Sequence, residues 1–260
     1  MILRSLEPSD AGRILPYFDL FVFTPVAFPD EAVNDLLDQG KQGFAYANVF
    51  NKPCPEWDDG KWLTFAKTLP TLTAPDGREA IFPWYGCQNE PRKMIGWDAC
   101  SYEQIIAAAD ELVLPHVSRF FDMFFPGLPE WAFASGGPRR IDFPPERLTR
   151  YAENLNLLRA LVAQKAPVLV NADWHTEAPC YIEHGERDML AALKAGMVPG
   201  NVLSVDPHYP AAFQALRAFY RVHDRIISFS SPDPNPSVSD AAFEEIAALD
   251  AYYKRVSLSM

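Results

Sequence analysis

The chain has 260 residues, 48% of them hydrophobic and 13% aromatic, enough for a large core and about the length of an α/β barrel built in one piece. With 34 acidic against 23 basic residues the formal charge is -11, so the positive footprint that a nucleic-acid partner requires is missing. The same acidity disfavours polyanionic substrates and is compatible with neutral or cationic ones.

In chain order, the apolar run 19–24 (DLFVFT) predicts a first strand, and Pro29-Asp30-Glu31 opens an amphipathic helix that stops at Gly40. The runs 43–50 (GFAYANVF) and 80–87 (AIFPWYGC) predict a second and a third strand. Ser101 caps the helix YEQIIAAADELV, with Glu103 and Gln104 in its first turn. A fourth strand covers 119–125 (RFFDMFF), and Pro145-Glu146 opens the helix RLTRYAENLNLLRALVAQK. Strands five to eight fall at 166–173, 180–184, 201–206 and 225–231, with helices PAAFQALRAFYRVH and SDAAFEEIAALDAYYKRV after the last two turns of the pattern. Eight short apolar runs with amphipathic segments between them predict one (β/α)8 TIM barrel domain over 1–260. One βα unit is degenerate, because 174–179 is too short for a helix. The competing architecture is an open doubly wound sheet, but no GxGxxG or GxxxxGK[ST] follows any strand, so no nucleotide cofactor is expected.

Four cysteines, at 54, 87, 100 and 180, have no CxxC spacing and are read as small buried residues. No apolar run reaches the ~20 residues of a membrane span. The start MILRSLEPSDAG has no signal-peptide pattern, so the expectation is a cytoplasmic protein unless a leader was removed.

Several predicted strands run straight into ionisable or amide side chains. Alternate residues of a strand share a face, which groups Leu169, Asn171 and Asp173, then Tyr181 and Glu183, then Ser204 and Asp206. Tyr46 and Asn48 share a face on the second strand, and Trp84, Gln88 and Glu90 face inward from the third. In a barrel these groups converge at the C-terminal mouth, where loops vary without disturbing the packed interior.

The segments FDLFVFTP, DLLDQGKQGFAYANV, RFFDMFFPG, PVLVNAD and YIEHG together resemble a group of barrel glycoside hydrolases, the spherulin-4-like and endo-α-1,4-polygalactosaminidase-like enzymes. The resemblance covers most of residues 17 to 184 at the level of pattern. It matches Asn171 to the asparagine after the fifth strand, Glu183 to the sixth-strand glutamate, and Asp122 to the aspartate of "fDG". It departs at the end of the fourth strand, where the family's functional aspartate falls at Pro126 or Gly127.

Glycosidic cleavage needs a protonated carboxyl to donate to the leaving oxygen. It also needs a second carboxylate, or the substrate's own acetamido group, to stabilise the oxocarbenium-like centre. On the resemblance Glu183 is the acid, with Asp173 and then Asp122 as candidates for its partner. Asn171 orients a substrate hydroxyl or acetamido group. Tyr46, Trp84, Trp174 and Asp206 complete a carbohydrate-binding mouth, the indoles offering stacking faces. No metal or other cofactor is expected. A metal-dependent hydrolase using Asp173-Trp174-His175 and Asp206-Pro207-His208 is one competing reading, and a glycan-binding barrel without catalysis is another. The tripeptide Asn89-Glu90-Pro91 matches an acid/base motif of other barrel glycosidases, but it follows the wrong strand. There is no GxSxG elbow.

Overall fold

A computed structural model describes residues 2–3, 20–23, 25, 30–52, 60–87, 90–114, 118–122, 143–171, 195–196, 202–205 and 226–229. Its centre is a parallel sheet of five strands: β1 (Ile2–Leu3), β2 (Leu20–Phe23), β3 (Gln42–Asn48), β6 (Ser118–Asp122) and β7 (Val168–Asn171), hydrogen-bonded in that order. A second parallel pair, β8 (Val202–Val205) with β9 (Ile226–Phe229), comes within 8 Å of β7 through β8. Parallel strands cannot be joined by tight turns, so each needs a crossover. Two crossover helices are α1 (Asp30–Asp38), before β3, and α4 (Pro145–Ala163), before β7; α3 (Tyr102–Leu112) precedes β6.

The five strands follow chain order without reversal. A doubly wound sheet reverses its strand order at a switch point, and these five strands show no such reversal.

The helix ends follow from local chemistry. Helix α1 stops at Gly40, whose φ of 78° suits the left-handed cap. Gly40 N–H donates to Leu37 O (2.9 Å) and Lys41 N–H to Leu36 O (3.2 Å), the nested pair that closes a helix C-terminus. At α3, Ser101 Oγ accepts from Gln104 N–H (3.3 Å) while Gln104 Oε1 accepts from Ser101 N–H (2.9 Å). Ser101→Ala is therefore expected to cost about 1 kcal/mol in a urea-unfolding titration. Pro145 opens α4 in the first helical turn, as the sequence predicts.

The sheet is apolar on both sides, which explains strands that read as continuous hydrophobic runs. On one face Ala47 joins a large core with Ile105, Ala108 and Leu112 of α3 and Tyr151, Leu155, Leu158 and Val162 of α4. On the other, Val22, Phe44 and Tyr46 form a separate cluster against Leu169. The second face is the one turned away from these helices.

One predicted strand is corrected. The run 80–87 does form a strand, β4 (Ile81–Cys87), but β4 pairs antiparallel with β5 (Glu90–Lys93) and takes no part in the parallel sheet. The two make a ribbon within a long excursion between β3 and β6, which also holds a short helix, α2 (Gly60–Ala66). The ribbon is fastened to the residues that continue β3: Asn51 bridges Met94, Lys52 N–H donates to Lys93 O (2.7 Å), and Ile95 N–H donates to Phe50 O (2.7 Å). Its base passes so close to residues 71–72 that a Cβ on Gly96 would lie 2.9 Å from Thr71 O, so only glycine fits there. Among the described residues the parallel strand that the sequence reading omits is β1. The predicted strand 180–184 and the two helices after residue 209 lie outside the described residues.

Candidate functional site

Strand register brings three polar residues into one row. Asn48 at the end of β3 pairs with Asp122 at the end of β6, and Asp122 pairs with Asn171 at the end of β7. Two residues back along each strand the row is Tyr46, Phe120 and Leu169. Tyr46 and Leu169 belong to the cluster turned away from the helices, and the polar row has the same strand parity. The row stands at the C-terminal ends of the three strands. Tyr46 is itself 6% exposed and sits just beneath the row, packed with Val22 and Phe44.

Asn48 is fully buried and its conformation is fixed on two sides. Its Oδ1 accepts from Phe50 N–H (3.1 Å) and Asn51 N–H (2.9 Å), turning the chain sharply where the ladder ends. Its backbone carbonyl accepts from Trp62 Nε1–H (3.1 Å), and that of Val49 from Trp97 Nε1–H (2.7 Å). Both indoles are completely buried.

Trp97 is held in turn. Asn154 Nδ2–H of α4 donates to its carbonyl (2.6 Å). The adjoining Asp98 carboxylate accepts from Arg147 of α4, with Nε 2.6 Å and the terminal nitrogen 2.6 Å from the same Oδ2. Arg147 also lies over the Phe143 ring, 5.2 Å from its centre. Lys52, just past the Asn48 turn, donates to the carbonyls of Ala66 (3.1 Å), Lys67 (3.4 Å) and Leu69 at the end of α2. Burial pulls its pKa down.

The Cys100 thiol is buried, and burial, with the Asp98 carboxylate adding to it, pushes it up to about 12 from an ordinary 9.0; Lys52 opposes the shift. It is therefore a neutral packing group, as the sequence reading expects of the cysteines, and no nucleophile. Burial raises the Tyr151 hydroxyl in the same direction. A raised folded-state pKa means that stability is complete below the unfolded value and falls as pH climbs through the folded one. The urea midpoint is accordingly expected to decline above about pH 9, and less steeply in Cys100→Ala than in the parent.

The other expected site residues are placed as follows. Asp122 and Asn171 are in the row by backbone register. Trp84 is on the ribbon, not on a third barrel strand. Asp173, Trp174, Glu183 and Asp206 lie outside the described residues, as do Pro126 and Gly127. Among the described residues no group of three or more His, Cys, Asp or Glu stands together to hold a metal, and no helix is long and apolar enough to cross a membrane. The contributions of Trp62, Trp97, Asp98 and Arg147 are absent from the sequence reading. They act on backbone carbonyls and on each other across up to 49 residues of chain, which leaves no periodic mark.

No family model and no curated protein matches the chain. Among solved structures it is similar to the glycoside hydrolase domain of PelA from Pseudomonas aeruginosa, at 16% identity over 89% of this chain and 93% of that one, TM-score 0.46. It is also similar to the glucosidase II alpha subunit, at 12% identity over 96% of this chain and 33% of that one, TM-score 0.44. A third likeness is to the alpha-N-acetylgalactosaminidase NagBb from Bifidobacterium bifidum, at 9% identity over 98% of this chain and 50% of that one, TM-score 0.38. At TM-scores below 0.5 these likenesses carry no argument about catalysis or substrate.

Proposed function

We propose that the chain is a glycoside hydrolase on a single (β/α)8 barrel, cleaving a polysaccharide or oligosaccharide at the C-terminal mouth. The observation that carries this reading is the row Asn48–Asp122–Asn171, three polar residues side by side at the ends of adjacent parallel strands. Barrel enzymes keep their catalysts at that end. Strands wound in chain order support closure into a barrel, with 180–184 as the strand between β7 and β8.

In this reading Glu183 protonates the leaving oxygen. It has to hold its proton near the working pH, which burial and a neighbouring carboxylate favour. Asp173 supplies the negative charge facing the sugar's anomeric carbon, Asp122 at the end of β6 reinforces it, and Asn171 hydrogen-bonds a substrate hydroxyl or acetamido group. Trp84 and Trp174 give apolar faces to sugar rings, and Asp206 closes the mouth from the β8 side.

Release of reducing ends from a panel of neutral and amino-sugar polysaccharides tests the assignment. Glu183→Gln and Asp173→Asn are each expected to lose about a hundred-fold or more in rate while melting within a few degrees of the parent. Full activity in both variants would overturn it.

A further inference from the structure

We propose that Trp97 and Trp62 are positioning residues of the mouth, acting through the turn that closes β3 to hold Asn48 in its register place beside Asp122. Where the ladder to β6 stops, at the Asn48–Asp122 pair, the carbonyls of Asn48 and Val49 lie buried beyond the last strand partner. A buried carbonyl without a donor is costly, and strand ends ordinarily meet water. Here two indoles supply the donors, from 14 and 48 residues further along the chain. The Asn48 side chain then closes the same turn through Phe50 and Asn51 N–H. Backbone and side chain of Asn48 are thus fixed by separate bonds, and the excursion that carries the ribbon is tied to the end of β3. Trp97 is braced by Asn154 and, through Asp98, by Arg147, so α4 on the far side of the sheet helps to set the edge of the row. The consequence for turnover rests on the glycosidase reading; the latch itself does not.

Trp97→Phe removes the N–H and keeps an aromatic ring. Trp97→benzothienylalanine, introduced biosynthetically, keeps the bicyclic shape as well and covers the case in which the phenylalanine variant folds poorly. Amide hydrogen exchange then separates a latch from an ordinary core residue. The expected result is that protection of Phe50 and Asn51 N–H falls at least about ten-fold more than that of core amides in α4 such as Leu155, which report global opening. Equal losses everywhere, or no loss at Phe50 and Asn51, would overturn the proposal. Kinetics on cellotetraose, chitotetraose and maltotetraose provide the second arm. A substrate cleaved by the parent is expected to show kcat down about ten-fold with KM nearly unchanged, since misplacement of a catalytic edge acts on the chemical step. If the parent cleaves none of the three, the hydrolase reading fails on these substrates and the exchange pattern still decides the latch.

Discussion

Trp97→Ala is expected to destabilise the protein by about 3–5 kcal/mol in urea unfolding, the range for truncating a fully buried large aromatic. Two separate losses combine. The indole packs in the main core with Ile95, Met94 and Leu155, and its removal leaves a cavity that a rigid sheet edge closes poorly. The Val49 carbonyl, 2.7 Å from Nε1, is also left buried without its donor. Trp97→Phe isolates much of the second loss and is expected to cost about 1–3 kcal/mol, the penalty for an orphaned buried acceptor. Trp62→Ala belongs to the same class, since Trp62 is equally buried and donates to Asn48 O. If Trp97→Ala and Trp97→Phe unfold at the same urea concentration, cavity formation is not the main loss.

The second large effect is expected at Arg147. Its partner Asp98 has a side chain only 7% exposed, while Arg147 is 29% exposed. Removing the cation leaves a carboxylate in an apolar surrounding. Breaking a buried pair from one side costs about 3–5 kcal/mol, and the partial exposure of Arg147 sets Arg147→Ala near the lower end. The asymmetry is the informative part. Replacing both partners together, as Asp98→Leu with Arg147→Met, is expected to cost much less than Arg147→Ala alone, because no charge is stranded. A double-mutant cycle in urea reads the difference directly. Additive effects of the two sites would show that the pair contributes nothing through its contact.

Most of the parallel sheet is legible in the sequence because each strand is a short apolar run, and three helices are legible because their caps are local. Ser101 with Gln104, Gly40 after Asp38, and Pro145 before Glu146 each work within a few residues. The ribbon is misread for an equally physical reason. IFPWYGC is as apolar as a barrel strand, and periodicity does not separate a buried parallel strand from an antiparallel ribbon. Pro83 is the signal that argues otherwise, since a proline cannot donate to a ladder and belongs on edges. Ile2–Leu3 is too short to leave a pattern, and α2, at seven residues, leaves almost none.

At the site, strand parity groups Tyr46 with Asn48 and Leu169 with Asn171, and the register of the sheet sets Asn48, Asp122 and Asn171 side by side. What holds Asn48 is invisible in the sequence, because indole-to-carbonyl bonds depend on where Trp62 and Trp97 arrive in space. The net charge of -11 identifies no partner.

The most direct test of the mouth is the rate of glycan cleavage by Asp122→Asn, a change that keeps side-chain shape and removes only the charge. With the parent's melting temperature preserved, the row at the ends of β3, β6 and β7 predicts a loss of about a hundred-fold or more. Cleavage at the parental rate would contradict it.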